Sequence, residues 1–420
     1  MFKFIHAADI HLDSPLRGLA RYEGVPAAEL RAATRQALEG LIRTAIEEEV
    51  AFVLLAGDLY DGDWRDYNTG LFFASQMSKL RKAGIKVFLI SGNHDAQSQI
   101  TKTIRLPDNV RQLSTRKPET VLLEDVGVAI HGRGFAKRAV TEDISATYPA
   151  AREGYFNIGM LHTSANGREG HEPYAPCTVP GLAAKGYGYW ALGHVHKREV
   201  LSEDPWIVFS GNIQGRHIRE QGAKGCSLVM VEDGAVGTVE HRALDVVRWH
   251  DVQVDATDAD DGDEILERVG QAIQKKIGED EDVLHAVRVT ISGCCGAHVQ
   301  LQADVNCWIN QIRAIGTDVS NGQVWIEKVR IQTRAEIDPE RIRAREDAIS
   351  GLLKSVEDLG SIDEAMEALD GDLAALRKKL PTELQSGEEA LDLDSPAKRE
   401  QLLAEIQQIL IPRLLAGEDA

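Results

Sequence analysis

The chain is poor in cysteine, methionine and aromatic residues: of 420 residues, five are Cys, five are Met, and Phe, Tyr and Trp together make up 5%. No run of about 18 apolar residues occurs, so no segment reads as a membrane helix, and Met1–His6 meets polar residues too soon for the apolar stretch of a secretion signal. A cytoplasmic protein with no membrane partner is expected. The cysteines are odd in number, form no Cys-x-x-Cys pair and include adjacent Cys294 and Cys295. That pattern argues against a disulfide framework or a zinc ribbon and for reduced cysteines without a chemical role. Apolar residues are not scarce, at 43% with 27% charged, which excludes a disordered chain and predicts two or three domains.

Positive charge is also in deficit, with 47 Lys and Arg against 66 Asp and Glu and a net charge of −19. On its face this argues against a nucleic-acid partner, since phosphate backbones are bound by Lys and Arg. The deficit is unevenly placed. Residues 1–250 hold 29 basic and 30 acidic residues, residues 251–339 hold 8 and 17, and residues 340–420 hold 10 and 19.

The first part alternates short apolar runs with amphipathic stretches, the pattern of a layered α/β domain. Phe2–Ala8, Phe52–Ala56, Val87–Ser91, Ile158–Leu161, Tyr189–Leu192 and Ile207–Phe209 read as buried strands. Helices over Pro26–Glu49 and Tyr67–Ala83 between the early strands imply a mostly parallel sheet covered on both faces. Residues 246–338 change character, with strand-like Val246–Val254, Leu284–Ile291 and Gln323–Gln332 and helices up to Ile277 and over Leu301–Ile315: a small α+β domain. In residues 339–420, leucines recur at helical spacing from Leu352 to Leu376 and from Leu402 to Leu410, predicting a helical tail. The domains expected are thus 1–245, 246–338 and 339–420.

In parallel sheets ligands bind beyond the carboxyl ends of the strands, and there the chain places its Asp, Asn and His. Four segments stand out: Asp9-Ile10-His11, Gly57-Asp58-Leu59-Tyr60-Asp61, Gly92-Asn93-His94-Asp95 and Gly193-His194-Val195-His196, with His162 between the last two. If strand geometry persists past Ala8, Asp9 and His11 share a face and can grip one ion, and His194 and His196 repeat the spacing. Glycines ahead of Asp58, Asn93 and His194 permit sharp turns into the crevice. The mixed nitrogen and oxygen donor set suits manganese, iron or zinc better than calcium. Two dications about 4 Å apart need a shared anion between them, and Asp58 is the candidate bridge.

This order of motifs resembles the calcineurin-like metallophosphoesterases. The His-x-x-Asp-x-His opening (His6, Asp9, His11) and the later domains resemble their SbcD/YhaO-type DNA repair exonucleases. The resemblance implies a four-layer α/β/β/α sandwich with a C-terminal α+β capping domain and a helical tail. It places a first ion on Asp9, His11, Asp58 and His196 and a second on Asp58, Asn93, His162 and His194, with manganese foremost among manganese, iron, zinc and magnesium. His94 is then the catalytic histidine beside the scissile phosphate, oriented by Asp95, and a metal-activated hydroxide attacks phosphorus in line. Asp61 stands where some relatives carry histidine and is expected to orient the site.

The implied function is a metal-dependent DNA exonuclease subunit whose tail binds an SbcC- or YhaN-type ATPase. A phosphatase or small-molecule phosphodiesterase on the same centre, and a DNA-end-binding scaffold, are the alternatives. Arg216 and His217, in a loop that the resemblance places along the DNA cleft, are candidate phosphate contacts or ordinary loop residues. Arg133, Lys137 and Arg138 could follow a backbone or form a solvated face. The helix with Leu71, Phe72, Met77 and Leu80 would either mediate a homodimer or cover its own sheet. His6 and His131, inside apolar runs, read as core histidines.

Overall fold

The structure, a computed structural model, describes residues 1–14, 26–61, 67–97, 105–165, 174–278, 282–335 and 350–351. The expected helical tail lies outside these residues apart from Ser350 and Gly351. The chain packs as two units. One is Met1–Val252 with Ile273–Arg288 and Gly316–Lys328; the other comprises Gln253–Ala272, Val289–Ile315 and the described residues from Val329 onward.

The first unit is built on two six-stranded sheets. In the first, strands β1 (Phe2–Ala7), β2 (Phe52–Ala56), β3 (Lys86–Ile90) and β4 (Val110–Gln112) run parallel. In the second, β5 (Glu119–Leu123) and β6 (Val128–Gly132) are antiparallel, while β6, β7 (Phe156–His162), β8 (Tyr189–Gly193) and β10 (Trp206–Phe209) are parallel; antiparallel β9 (Glu199–Glu203) closes the edge. Strands β11 (Gly225–Glu232) and β12 (Ala235–Ala243) return to extend the first sheet beside β1, giving the order β12-β11-β1-β2-β3-β4.

Why β1, β2 and β3 are mostly apolar follows from what covers them. Successive side chains of a strand point to opposite faces. Ile5, Val53, Leu55, Val87 and Leu89 pack under helices α1 (Ala27–Glu47) and α2 (Tyr67–Lys82) through Leu38, Leu41, Phe73, Met77 and Leu80. The alternate residues Phe4, Phe52, Leu54, Phe88 and Ile90 face Ile130, Ile158, Met160, Tyr189 and Val208 of the second sheet. That sheet's outer face buries Leu161, Trp190, Leu192, Ile207 and Phe209 under Phe135, Ile144, Tyr148 and Leu182. The result is the four-layer α/β/β/α sandwich. Its last layer is thin, holding the short helix Val179–Ala183 and the turn Ile144–Thr147.

In α2, Met77 and Leu80 are spent on the sheet beneath them, whereas Leu71 is 59% exposed and Tyr67 is exposed. Toward the C-terminus, β13 (Val247–Asp255), β14 (Leu284–Cys294) and β15 (Val324–Arg334) form a three-stranded sheet accompanied by helix Gly262–Ile277. The single helix expected over Leu301–Ile315 is two, His298–Ala303 and Val305–Val319, broken at Asp304. Its carboxylate accepts the Cys307 amide at 2.9 Å, a side-chain cap that starts the second helix anew. All five cysteines are free.

Candidate metal centre

Parallel strands end on one side of a sheet, so the residues after β1, β2 and β3 and those at the ends of β7 and β8 converge. The strand alternation expected to align Asp9 with His11 is not what aligns them. β1 stops at Ala7, and Asp9 (φ 51°) and His11 (φ 46°) both take left-handed backbone, which turns both side chains toward His196. The kinks are held by amides of the first loop donating to carbonyls of the second: Asp9 to Gly57 (3.0 Å), His11 to Asp58 (3.0 Å) and Leu12 to Leu59 (2.9 Å). Asp58 (φ 51°) and His194 (φ 100°) are also at positive φ. Such backbone in non-glycine residues costs on the order of 1–3 kcal/mol each and persists where surrounding structure enforces it.

The glycines before the ligands also act partly otherwise than expected. Gly57 does take positive φ (100°). Gly92 and Gly193 do not; they are small because there is no room. A Cβ at Gly92 would stand 2.2 Å from Asp58 Oδ1, and one at Gly193 would stand 2.1 Å from the Ala56 carbonyl oxygen.

Among the described residues, three sets of donor atoms lie within 4.8 Å of one another: Asp9, His11 and His196; Asp58, His162 and His194; and His11, Asp61 and His94. The first set holds three residues assigned above to the first ion, the second set three assigned to the second. Asp58 lies between them, its Oδ2 3.4 Å from His162 Nε2 and 4.0 Å from His11 Nε2. Asn93 Oδ1 is 2.9 Å from His162 Nε2.

The hydrogen-bond pattern tests whether these residues fit cations. His11 Nδ1 donates to Asp61 and His196 Nδ1 to Glu220, both at 2.6 Å, so the two Nε2 atoms, 3.2 Å apart, face each other as lone pairs. His162 Nδ1 donates to the Ala56 carbonyl at 3.0 Å, leaving its Nε2 facing the oxygens of Asn93 and Asp58. Acceptors converging on acceptors require a positive centre between them, and the residues therefore fit two cations held by nitrogen and oxygen. Metal-ligating histidines characteristically give their other nitrogen to a carboxylate or carbonyl, as all three do here.

The charges agree. Burial and Arg216 lower the His11 pKa, keeping it neutral as a ligand must be, although Asp61 pulls the other way. Burial opposes ionisation of Asp58, but His162 beside it holds its carboxyl far below the usual range. Burial likewise opposes a charge on His162, yet Asp58 beside it pushes that histidine up to about 9, so the position attracts positive charge.

His94 is the most exposed member of the third set. Its amide donates to Asp58 Oδ1 (2.9 Å), and its ring, 38% exposed, lies 3.3 Å through Nδ1 from Asp61 Oδ1. Asp95 does not act on that ring by contact. Its buried carboxylate accepts the amides of Gly92 (3.0 Å), Leu59 (3.2 Å) and Tyr60 (3.0 Å), tying the loop of Asn93 and His94 to that of Asp58. Burial and the nearby Asp58 push its pKa up to about 7 against those amides. Asp61 carries the contact with His94 and also receives the Ser14 hydroxyl.

Arg216 lies at the centre, 14% exposed, against Glu220 and Asp61, whereas His217 is half exposed, 3.7 Å from Glu220. Glu220 carries no sequence signal: it sits 24 residues past its histidine in an unremarkable loop. Lys137 and Arg138 are exposed, and Arg133 has a buried Nε without a hydrogen-bond partner. His6 and His131 are satisfied inside the core by Tyr189 and Leu192 and by Thr120 and Asn157.

The sequence profile of calcineurin-like phosphoesterases matches residues 2–198, and that of the middle domain of metallophosphoesterase YhaO matches residues 249–334. A Bacillus subtilis (strain 168) protein named uncharacterized metallophosphoesterase YhaO is 40% identical over 276 residues, 65% of this chain and 67% of the relative. Among solved structures, TT1561 of Thermus thermophilus is 12% identical over 58% of this chain and 99% of its own, with a TM-score of 0.35. A dimetal phosphatase from Danio rerio is 10% identical over 55% of this chain and 93% of its own, with a TM-score of 0.33.

Proposed function

This chain belongs to the calcineurin-like metallophosphoesterases, and on that premise we propose that it is a metal-dependent DNA nuclease, the exonuclease subunit of a repair complex. The observation that carries this reading is the charge balance of the crevice. The residues placed to hold two dications bring two carboxylates, Asp9 and Asp58, while Asn93 supplies a neutral oxygen. The sum is positive and favours an anionic phosphodiester over a neutral substrate.

When bound, the two divalent ions supply Lewis-acid stabilisation of phosphate charge and a nucleophile from water at neutral pH. The protein's share is geometry and proton transfer. Asp58 fixes the spacing of the two donor sets and, through the His94 amide, the position of that histidine. The exposed His94 ring then faces the substrate with Asp61 behind it, placed to stabilise the phosphoryl oxygens and protonate the leaving 3′ or 5′ oxygen. No side chain needs to form a covalent intermediate.

Manganese is the metal of choice. Exposed Lys137 and Arg138 support contact with a phosphate backbone, His217 being a further candidate. The protein acts in the cytoplasm, its residues 339–420 dock an SbcC/YhaN-type ATPase, and exposed Tyr67 and Leu71 offer a homodimer contact.

The test is manganese-dependent cleavage of linear duplex and single-stranded DNA, with a phosphotyrosine and a generic diester alongside. DNA cleavage lost in Asp58→Ala and His94→Ala is expected. Brisk monoester hydrolysis with intact DNA would identify a phosphatase instead, and DNA binding without any cleavage a scaffold. Deleting residues 340–420 should abolish ATPase pull-down; retained binding would remove the tail from that role.

A further inference from the structure

Behind the ligands of the first ion stands a second set of charges: Asp61, Arg216 and Glu220. The outer nitrogen of each of that ion's histidines ends on one of the two carboxylates, His11 on Asp61 and His196 on Glu220, both at 2.6 Å. One guanidinium joins the two carboxylates. Arg216 Nη2 is 3.0 Å and Nε 3.4 Å from the two oxygens of Glu220, while Nη1 is 3.5 Å from Asp61 Oδ2 and 3.4 Å from the Ser14 hydroxyl. The assembly is anchored from outside as well. Glu220 Oε2 accepts the Arg216 amide at 2.7 Å and the Asn212 side-chain amide at 3.0 Å, and Lys224 holds the His196 carbonyl at 3.0 Å.

From this geometry we infer that Arg216, Glu220 and Asp61 form an ionic clamp that positions His11 and His196 for the first ion, so that Arg216 is a positioning residue and not a substrate contact. The inference rests on the two-cation reading above. An imidazole on a flexible side chain presents its Nε2 in a fixed direction and tautomer only when Nδ1 is pinned, which is the task of the two carboxylates. Glu220 is 5% exposed, and a buried carboxylate without a compensating cation is strongly destabilising. Arg216 compensates both acids at once. A planar fork can address two carboxylates in fixed directions, whereas the compact ammonium of Lys cannot. A guanidinium so engaged, with 14% of its side chain exposed, has little left to offer a phosphate.

The decisive experiment measures metal and not turnover. Mn²⁺ is titrated calorimetrically into the metal-stripped full chain, as wild type, Glu220→Gln, Arg216→Gln and Arg216→Lys, with electron paramagnetic resonance distinguishing a spin-coupled pair from isolated ions. Glu220→Gln keeps the shape and removes the charge. It and Arg216→Gln should each weaken one Mn²⁺ equivalent about 10- to 100-fold, leave the other within about 3-fold, and replace the coupled signal with a mononuclear one at concentrations where wild type shows the pair. Arg216→Lys should fall between.

Two Mn²⁺ ions bound with wild-type affinity by Arg216→Gln and Glu220→Gln, with only DNA affinity reduced in the former, would overturn the clamp and restore Arg216 as a substrate contact. Should Glu220→Gln fail to fold, Arg216→Lys decides, with the ¹⁵N shifts of the His196 ring reporting whether its tautomer is still fixed; an unchanged tautomer and unchanged Mn²⁺ affinity overturn the proposal. Wild type binding no Mn²⁺ overturns the two-cation centre and the clamp together. Wild type that binds two ions but cuts no DNA overturns the nuclease reading alone.

Discussion

His6 opens the His-x-x-Asp-x-His motif, yet the structure makes it part of the core, and acid should reveal which it is. Its Nε2 donates to the Leu192 carbonyl at 3.2 Å and its Nδ1 accepts the Tyr189 hydroxyl at 3.0 Å, with the side chain wholly buried. Burial is the dominant cause of its pKa falling to about 3 from 6.5, against the opposing pull of the Leu192 carbonyl. The unfolded chain therefore binds a proton that the folded chain refuses. Stability is present above pH 6.5 and is lost as pH falls from there toward 3, by about 2 kcal/mol at pH 5 and about 3 kcal/mol at pH 4. Urea denaturation in chelator from pH 7 to 4, on wild type and His6→Gln, measures this. At pH 7 the variant should be less stable because it loses packing and the Tyr189 bond; as pH falls the gap should close by those amounts, because glutamine has no proton to take up. Mn²⁺ binding should stay within about 2-fold. A gap independent of pH, or a lost Mn²⁺ equivalent, would refute the assignment.

Gly193→Ala must move backbone, because the new Cβ would stand 2.1 Å from the Ala56 oxygen; a loss of about 1–3 kcal/mol by urea, with weaker Mn²⁺ binding, is expected. In the C-terminal sheet, Glu327 holds buried Arg288 through two bonds of 2.9 Å, and Glu327→Gln should cost about 3–5 kcal/mol in the same assay. Stripping metal should lower the melting temperature reversibly, each ion held at 100 times its Kd contributing about 2.7 kcal/mol; a melt indifferent to chelator would argue against ions in the crevice.

Within residues 1–245 the strands that read as continuous apolar runs are mostly buried on both faces, where nearly every position needs an apolar side chain; β6 and most of β11 are equally buried but give a weaker signal, interrupted by His131, Gly132, Gly225 and Ser227. Residues 52–56 and 189–193 read as continuous runs for that reason. The edge strands escaped notice for the converse reason: β9 and β12 carry mostly half-buried and exposed residues, such as Glu199, Ser202, Thr238 and Glu240, and no period stands out. An apolar run also does not say which sheet it joins. That Phe4 and Tyr189 meet, their rings 5.2 Å apart and edge to face, depends on the second sheet packing over the first.

The candidate metal ligands stand out in the sequence because each is a polar residue at the end of an apolar strand or in the loop just past it. How they reach one place is not legible there. Strand alternation would have aligned Asp9 with His11 at no cost; instead both sit on left-handed backbone that the Gly57–Leu59 carbonyls hold in position. The partners behind the ligands were less legible still. Nothing in an Arg-His-Ile-Arg-Glu segment tells a solvated turn from a buried clamp, and Glu220 becomes meaningful only once folding sets its carboxylate 2.6 Å from His196.

Charge shows the same dependence on placement. Asp9, Asp58, Asp61, Asp95 and Glu220 contribute five of the 30 acidic residues in positions 1–250, yet each is committed to a ligand set, a histidine, a guanidinium or backbone amides. Setting them aside with Arg216, the rest of that segment holds more Lys and Arg than Asp and Glu. Those five acids enter the global sum although cations at the site, Arg216 or backbone amides would offset them. A long-range field is set by what remains uncompensated. The near-neutral count of residues 1–250 thus conceals a basic excess outside the centre, and the −19 of the whole chain, all but −1 of it carried by residues 251–420, gives no reason to reject a phosphate-bearing polymer as the substrate.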